Sequence, residues 1–306
     1  MKQFEFNYSK KFNCIADKCK HNCCKGWQIA VDKKTADKYL SLSNDNNRFK
    51  NCLDGQFFKM IDKNCPFLDS DNLCHIIKNY GDKALCKTCK THPRFKNFFS
   101  DRIETGLGLY CEEAGRIILS SKSKMKVRLV KDDAKNTALS PLEKKVLSFR
   151  KKALSIVQNR KLTIIERLSS LSNLANVKLN KNSFNAWLDI YKKLDALKTN
   201  EFGFDMVEPC LEFEKIEQGF EREYEQLLSY LCYRHLSRAI DQLDLRVRLA
   251  FIILSFNMIN HLFSLQTEKT LDTLVEVCRF YSSEIETSDD NIFNLLNEIE
   301  SLISFI

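Results

Sequence analysis

The chain has 306 residues, 44% of them hydrophobic, with 8 glycines, 4 prolines, 13 cysteines and a formal charge of +8. That is enough apolar material for one large domain or two modest ones, and the shortage of turn residues excludes a sandwich or barrel built from many tight turns. The opening MKQFEFNYSKKFN has no apolar stretch of signal-peptide length, and the most hydrophobic run, Ala250 to Phe256, is shorter than a membrane span, so the expected protein is soluble and cytoplasmic with no membrane partner.

The first third is distinctive. CIADKCKHNCCKGW opens it with Cys14, Cys19, Cys23 and Cys24 in a C-x4-C-x3-C-C pattern. WQIAVD follows, placing Trp27, Ile29 and Val31 on one face of a short strand, and DKKTADKYL then starts a helix. Cys52 stands apart. CPFLDSDNLC spans Cys65 to Cys74, CKTCKTHPR pairs Cys86 with Cys89, and Cys111 is the last of ten cysteines before residue 112. His21, His75 and His92 lie among them, and loops are expected to carry most of the rest.

Residues 121–139, charged and weakly apolar, read as a linker. SPLE at Ser140–Glu143 and TIIE at Thr163–Glu166 have the form of capping boxes, the first with proline at the first helical position. Helices are predicted near 140–158, 163–177, 183–198, 209–240, 244–264, 268–283 and 289–304. Tyr224, Leu227, Leu228, Leu231, Cys232, His235 and Leu236 keep helical spacing, and Leu249 to Phe256 is apolar on every side. Cys210, Cys232 and Cys278 read as small core residues, and His235 as a satisfied core histidine. The expected fold is mainly α: a loop-rich cysteine region over 1–120 with a short strand element, then the linker, then a helical bundle over 140–306.

In a reducing compartment ten crowded cysteines point to metal rather than disulfides. Short loops between ligands limit the entropy of gathering them. Zinc and iron–sulfur both suit thiolates; Cys86-x2-Cys89 alone has the zinc-ribbon form, while Cys65-Pro66 and the apolar loops suit a shielded cluster. Adjacent Cys23 and Cys24 point to opposite faces of extended backbone, so either a turn turns both inward or one of them packs. Cys19-x3-Cys23 is followed at once by Cys24, so the C-x3-C-x2-C triplet of radical S-adenosylmethionine enzymes is missing. Residues 1–111 carry 20 Lys and Arg against 12 Asp and Glu, and the remaining 28 of each sign cancel. Such a basic excess invites nucleic acid, but thiolate ligands bring negative charge that the lysines partly balance, and nucleic acid is a secondary reading.

FNCIADKCKHNCCKGWQIAVDKKTADKY, CPFLDSDNLCHI, LCKTCKTHPR and LYCEEAGRIIL, in this order, resemble the flagellin lysine-N-methylase family, FliB-like proteins related to the YkgJ-type cysteine-cluster group. The resemblance is strong over the first 120 residues, and YEQLLSYLCYRHLSRAI is similar, less specifically, to the family's helical half. It implies an iron–sulfur cluster, of four-iron type, and methylation of flagellin lysines with S-adenosylmethionine as donor. Motif membership and spacing give Cys14, Cys19, Cys23, Cys24, Cys65, Cys74, Cys89 and Cys111 as candidate ligands. Three positions depart from the family pattern: Glu112 stands where proline is usual, His92 where tyrosine is usual, and Cys86 where a small residue is common. Cys86 and Cys52 are accordingly left out of the ligand set.

Methyl transfer to lysine needs a neutral amine, a proton acceptor and an aromatic wall. Glu112, Asp32, Tyr233 and Asp69 are candidate acceptors, Trp27 the wall, and Arg94 the fork for the donor's carboxylate. Each has a structural alternative: Asp32 as a helix N-cap, Asp69 as a turn former, Glu112 as a solvated first-turn residue, Arg94 as a surface ion pair. Gly106-Leu107-Gly108 is too short for a nucleotide-binding loop. The alternative function is an iron–sulfur or zinc protein with a structural or redox-sensing role and a partner-binding helical region.

Overall fold

Two serine/threonine–glutamate pairs start helices as their spacing requires: Ser140 Oγ accepts from the Glu143 N–H and Glu143 returns the bond to the Ser140 N–H, and Thr163 and Glu166 repeat the arrangement. The computed structural model describes residues 1–42, 47–132, 137–178 and 216–302, with positions 189, 191, 194, 304 and 305. In chain order the elements are β1 (Lys2–Phe6), α1 (Lys33–Leu42), β2 (Leu53–Asp54), β3 (Phe57–Phe58), α2 (His75–Tyr80), α3 (Lys87–Thr91), β4 (Arg94–Phe98), β5 (Arg102–Leu107), α4 (Glu112–Leu119) and β6 (Val127–Lys131). The helices α5 (Pro141–Val157) and α6 (Ile164–Ala175) follow, then the short β7 (Val177–Lys178), α7 (Glu221–His235), α8 (Gln242–Ser264), α9 (Leu271–Tyr281), α10 (Asp289–Leu302) and β8 (Ser304–Phe305), which pairs with β7. The architecture is mainly α.

By contact the chain forms two compact units. A cysteine unit takes Asn13–Phe95 with Cys111–Glu113, and all ten early cysteines fall in it; a helical unit takes Met1–Phe12, Lys96–Tyr110 and Ala114–Ile306.

The cysteine unit has its own core, in which Tyr39 of α1 and Phe49, Phe58 and Phe67 lie with ring centroids 4.9–6.0 Å apart. WQIAVD does not form a strand. Ile29 and Val31 are buried, but Trp27 is 40% exposed, and Ala30 makes a single bridge to Phe57. Gly26, at φ +84°, turns the chain just before Trp27, so the alternating face starts two residues later than the pattern implies.

Four strands, in the helical unit apart from the first two residues of β4, form one sheet in the order β4-β5-β1-β6, with β1 parallel to β5 and antiparallel to β6. This sheet replaces the loops expected there, and β6 lies inside the segment read as a linker. Glu104 of β5 is fully buried because Arg150 of α5 meets it with two hydrogen bonds, 2.7 and 2.8 Å. The same guanidinium stacks over Tyr233 at 4.8 Å.

Every residue from Leu249 to Phe263 of α8 is buried. The helix is long and apolar enough to cross a membrane by length and composition, and 89% of that apolar window is buried inside the protein, as befits the central helix of a core. The predicted helix over 209–240 shortens to α7, which begins after Gly219 at φ +86°; residues 209–215, with Cys210, and nearly all of the predicted helix over 183–198 lie outside the described residues. Cys232 and Cys278 are fully buried.

A π-helical turn, Ser282–Glu286, follows α9 and swings the Glu286 carboxylate inward. There it accepts from Tyr230 at 2.8 Å, from His235 Nε2 at 2.6 Å and from Ser282, and pairs with Arg234 at 3.2 Å. Burial alone would raise Glu286, but Arg234 and His235 hold it down to about 2. Burial lowers His235 to about 4, so at neutral pH it is an uncharged donor. Tyr230 also accepts from the Leu109 N–H at 3.3 Å, which ties the β5–α4 connection into the network.

Candidate metal centre

Three segments of the cysteine unit, 22–26, 65–74 and 86–89, bring their thiols together. Asn22 Oδ1 accepts from the Cys24 N–H at 2.9 Å and makes an Asx turn, so Cys23 and Cys24 are both brought round and their side chains hydrogen-bond. The next residues run beside 63–65: Gly26 N–H donates to Lys63 O and Cys65 N–H to Cys24 O, each at 2.8 Å. Cys24 therefore meets Cys65, side chain to side chain.

The loop from Cys65 to Cys74 folds back on itself, with Leu68 N–H on Cys65 O and His75 N–H on Phe67 O. Arg48 clamps it, donating to Pro66 O at 3.1 Å and Leu68 O at 3.3 Å and pairing with Asp69. Asp69 also meets Lys78 at 3.3 Å.

The third pair sits at the start of α3. Thr88 Oγ1 donates to Ala30 O at 2.7 Å and anchors it against the 29–31 segment, while the Cys86 and Cys89 side chains hydrogen-bond to each other. Cys65 and Cys86 are part of the aromatic core, with Cys24, Cys74 and Cys89 packed against it. Cys23, Cys24, Cys65, Cys74, Cys86 and Cys89 thus share one neighbourhood.

Cys19 and Cys111 form a second, looser group with Glu112. The Cys19 thiol donates to His21 O at 3.0 Å and approaches Glu112 Oε2 at 3.6 Å, and the same oxygen accepts from the Lys20 N–H at 2.9 Å. Cys14 is exposed. Among the described residues no three Cys, His, Asp or Glu side chains are placed to share a single metal ion.

Gathered thiols suppress one another's ionisation. Burial, with the nearby Glu112 and Cys111, pushes Cys19 up to about 12. Cys23 is raised by its bond to Cys24 and by burial, Cys89 by its bond to Cys86 and by burial, and Cys24 is pushed up to about 12 by Cys65 and burial against the help of Cys23. Cys86 moves the other way, to about 7, because Cys89 and the N–H groups of Cys89 and Thr88 donate to it. A bound polycation is what allows such a set to ionise together.

Comparison with known proteins bears on this arrangement. The chain is 33% identical over 154 residues to the lysine-N-methylase of Salmonella typhimurium, covering 45% of this chain and 38% of that protein, and 33% identical over 153 residues to the lysine-N-methylase of Salmonella choleraesuis, with the same coverage. It is 35% identical over 126 residues to the flagellar biosynthetic protein FliU of Salmonella muenchen, which it covers over 75% of its length. The chain belongs to the flagellin lysine-N-methylase family. It spans about two fifths of the length of the two methylases it matches, 38% in each case. No family model matches it, and no solved structure does.

The residues at which this family member departs from the usual pattern are all structurally engaged. Glu112 is 3% exposed, held against the Lys20 backbone rather than solvated. His92 is lowered to about 4 by burial and lies against Trp27, centroids 6.2 Å apart. Cys86 is fully buried beside Cys89. Spacing showed the Cys86–Cys89 pair; nothing in the sequence pointed to Arg48, whose partners include the Pro66 and Leu68 carbonyls and the Asp69 and His75 side chains.

Of the remaining candidates, Trp27 donates its indole N–H to Cys23 O at 2.8 Å, and Arg94, the first residue of β4, is half-buried. Tyr233 lies in the helical unit, 6% exposed, packed edge-on to Phe6 at 4.6 Å. Cys52 is buried in the aromatic core. Asp32 caps α1 through the Thr35 N–H at 3.2 Å and also accepts from the Lys87 N–H at the start of α3, at 2.8 Å. Those bonds hold its carboxyl below the ordinary value. Asp32→Ala should therefore lower the stability of the unit by about 1–2 kcal/mol, the cost of lost helix caps, read as an earlier urea midpoint; Asp32→Asn should recover much of it.

Proposed function

We propose that this protein is a lysine N-methyltransferase acting on flagellin, with S-adenosylmethionine as methyl donor and a four-iron iron–sulfur cluster in the cysteine unit. Family membership supports the activity, and the single structural observation that supports the cluster is the shared neighbourhood of six thiols, five of them against an apolar wall and the sixth, Cys23, exposed beside Cys24. A four-iron cluster would take one cysteine sulfur at each iron, so its ligands would stand wider apart than those of one ion, and thiols drawn from three segments fit it. Cys24, Cys65, Cys74 and Cys89 would hold it, with Cys23 and Cys86 at its border. When bound, the cluster supplies the positive charge that stabilises the thiolates and the redox chemistry of iron.

In the transfer, the lysine nitrogen attacks the donor methyl carbon, the sulfonium–carbon bond breaks to leave a thioether, and the amine proton goes to a base. Asp32, capping two helices with its carboxyl held low, is a poor acceptor. Tyr233 is pushed up to about 12 by burial and stays a neutral phenol. Glu112 is the best placed, beside the cysteine loop, with Arg94 to fix the donor's carboxylate and Trp27 as wall. Anoxically purified protein with S-adenosylmethionine should add one-methyl mass steps to flagellin. Glu112→Gln and Arg94→Ala should each lower that rate by about 10- to 1000-fold with cluster content intact. Full activity in both places the transfer elsewhere.

The Cys86–Cys89 pair favours a second reading, a redox-sensing cluster protein whose helical unit binds a partner. An intact cluster with no methylation of flagellin would support it.

A further inference from the structure

In the helical unit a row of positive charge runs into an open sheet edge. Residues 121–131, SKSKMKVRLVK, carry Lys122, Lys124, Lys126, Arg128 and Lys131 and no acid. Asn7 pins the first part of this segment to the end of β1. Its Nδ2 donates to Ser123 Oγ at 3.2 Å and to Lys124 O at 3.3 Å, its backbone N–H donates to Lys126 O at 2.9 Å, and its Oδ1 accepts from the Lys126 N–H at 3.1 Å. Met125 is buried and Val127 half-buried, while Lys124, Lys126 and Arg128 are exposed. That alternation puts the three cations on one side, at the repeat of about 6.6 Å that two residues of extended chain span.

Arg222 of α7 lengthens the row by donating to Lys122 O at 3.1 Å. Glu5 of β1 lies opposite Arg128 in the register. Among the described residues no carboxylate lies within ion-pair distance of Lys122, Lys124 or Lys126. The sheet ends at β6, so one row of its backbone N–H and C=O groups has no ladder partner. Leu129 and Val130 on that strand are 50% and 42% exposed. Lysines on an edge ordinarily guard it, and here they guard it against a second copy, whose own β6 would bring like charges together. They do not guard it against an acidic strand.

We propose that the outer edge of β6 docks an extended, acidic segment of a partner protein as an added strand. The backbone of that segment pairs with the edge, its alternate carboxylates answer Lys124, Lys126 and Arg128, and its apolar residues cover Leu129 and Val130. Single-stranded nucleic acid would match the charge repeat, but it has no amides to pair with the edge, and residues 121–131 hold no aromatic ring on which bases stack. The proposal goes beyond methyl transfer and does not rest on it.

Fluorescence anisotropy on the full chain with a labelled peptide that alternates glutamate and threonine tests it. The peptide should bind, and more weakly as salt rises. The same peptide N-methylated at alternate residues keeps its charge but cannot pair its backbone, and should bind the wild type about 10-fold more weakly or worse. A triple variant at exposed positions, Lys124→Gln with Lys126→Gln and Arg128→Gln, should lose about 10-fold or more in affinity for the unmodified peptide. The N-methylated arm uses the wild type alone and so decides the matter even where the variant misfolds. Equal affinity for the two peptides reduces the surface to bare charge, and tighter binding of oligo-dT assigns it to nucleic acid. Self-association of the wild type that protects the Val127–Val130 amides from hydrogen exchange hands the edge to a second copy. Any of these, or no binding of the acidic peptide, overturns the proposal.

Discussion

Replacing Cys65 by serine should strip the protein of its iron and acid-labile sulfide and open the cysteine unit to protease. Cys65 is tied to Cys24 twice, by its backbone N–H and by its thiol, and lies in the same core as Cys86. Loss of a hydrogen-bond partner outside the ligand set costs a metal site about 10- to 100-fold in affinity, and loss of a ligand should cost more. Binding free energy at such sites is also folding free energy, so cleavage should concentrate within residues 13–95 while the helical unit keeps its helicity by circular dichroism. Cys232→Ala and Cys278→Ala, fully buried in the helical unit, should leave iron content unchanged. Retention of iron and of protease resistance in Cys65→Ser would show the site to be peripheral, and colourless anaerobic wild type with stoichiometric zinc would show the metal to be other than iron.

The second large effect is expected at Glu286. Glu286→Ala removes the carboxylate that pairs at 3.2 Å with the Arg234 guanidinium, which is 5% exposed, and removal of one partner of a buried ion pair costs about 3–5 kcal/mol. In a chain of this size that is a fall in melting temperature of roughly 6–20 °C. The acid limb of stability should change with it. His235 folds with its value lowered from 6.5 to about 4, so its contribution is whole above pH 6.5 and is lost as pH falls toward 4. Glu286, lowered from 4.5 to about 2, contributes above pH 4.5 and loses that contribution as pH falls toward 2. Urea denaturation of the wild type should thus weaken in two successive acid steps, and the lower step should vanish in Glu286→Ala. A lower step that persists in the variant would assign the acid sensitivity to other groups.

The helical half was legible because its signals are local. Ser140, Thr163 and their glutamates lie one turn apart, and α8 advertises its burial by being apolar all round. The sheet was not legible, for the opposite reason. β1 pairs Lys2 with Arg102, and β5 buries Glu104, a residue type that enters a core only when something distant, here Arg150, comes to meet it. In the cysteine unit the motifs announced which segments converge. They could not show that Asn22 turns Cys23 and Cys24 round together, that Asp32 is engaged at two helix starts, or that Cys86 lies deeper than Cys14. Each of those depends on where a loop closes.

The sheet order has a consequence for how this chain is made. Lys2 leaves the ribosome before its partner Arg102, which follows only after the whole of Asn13–Phe95 has emerged. The first strand must therefore wait unpaired while the sulfur-bearing segment gathers its thiols, and the helical unit cannot close its sheet until that segment has been synthesised. A fragment that starts at residue 121 would carry β6 without β1, β4 or β5 and leave its edge bare.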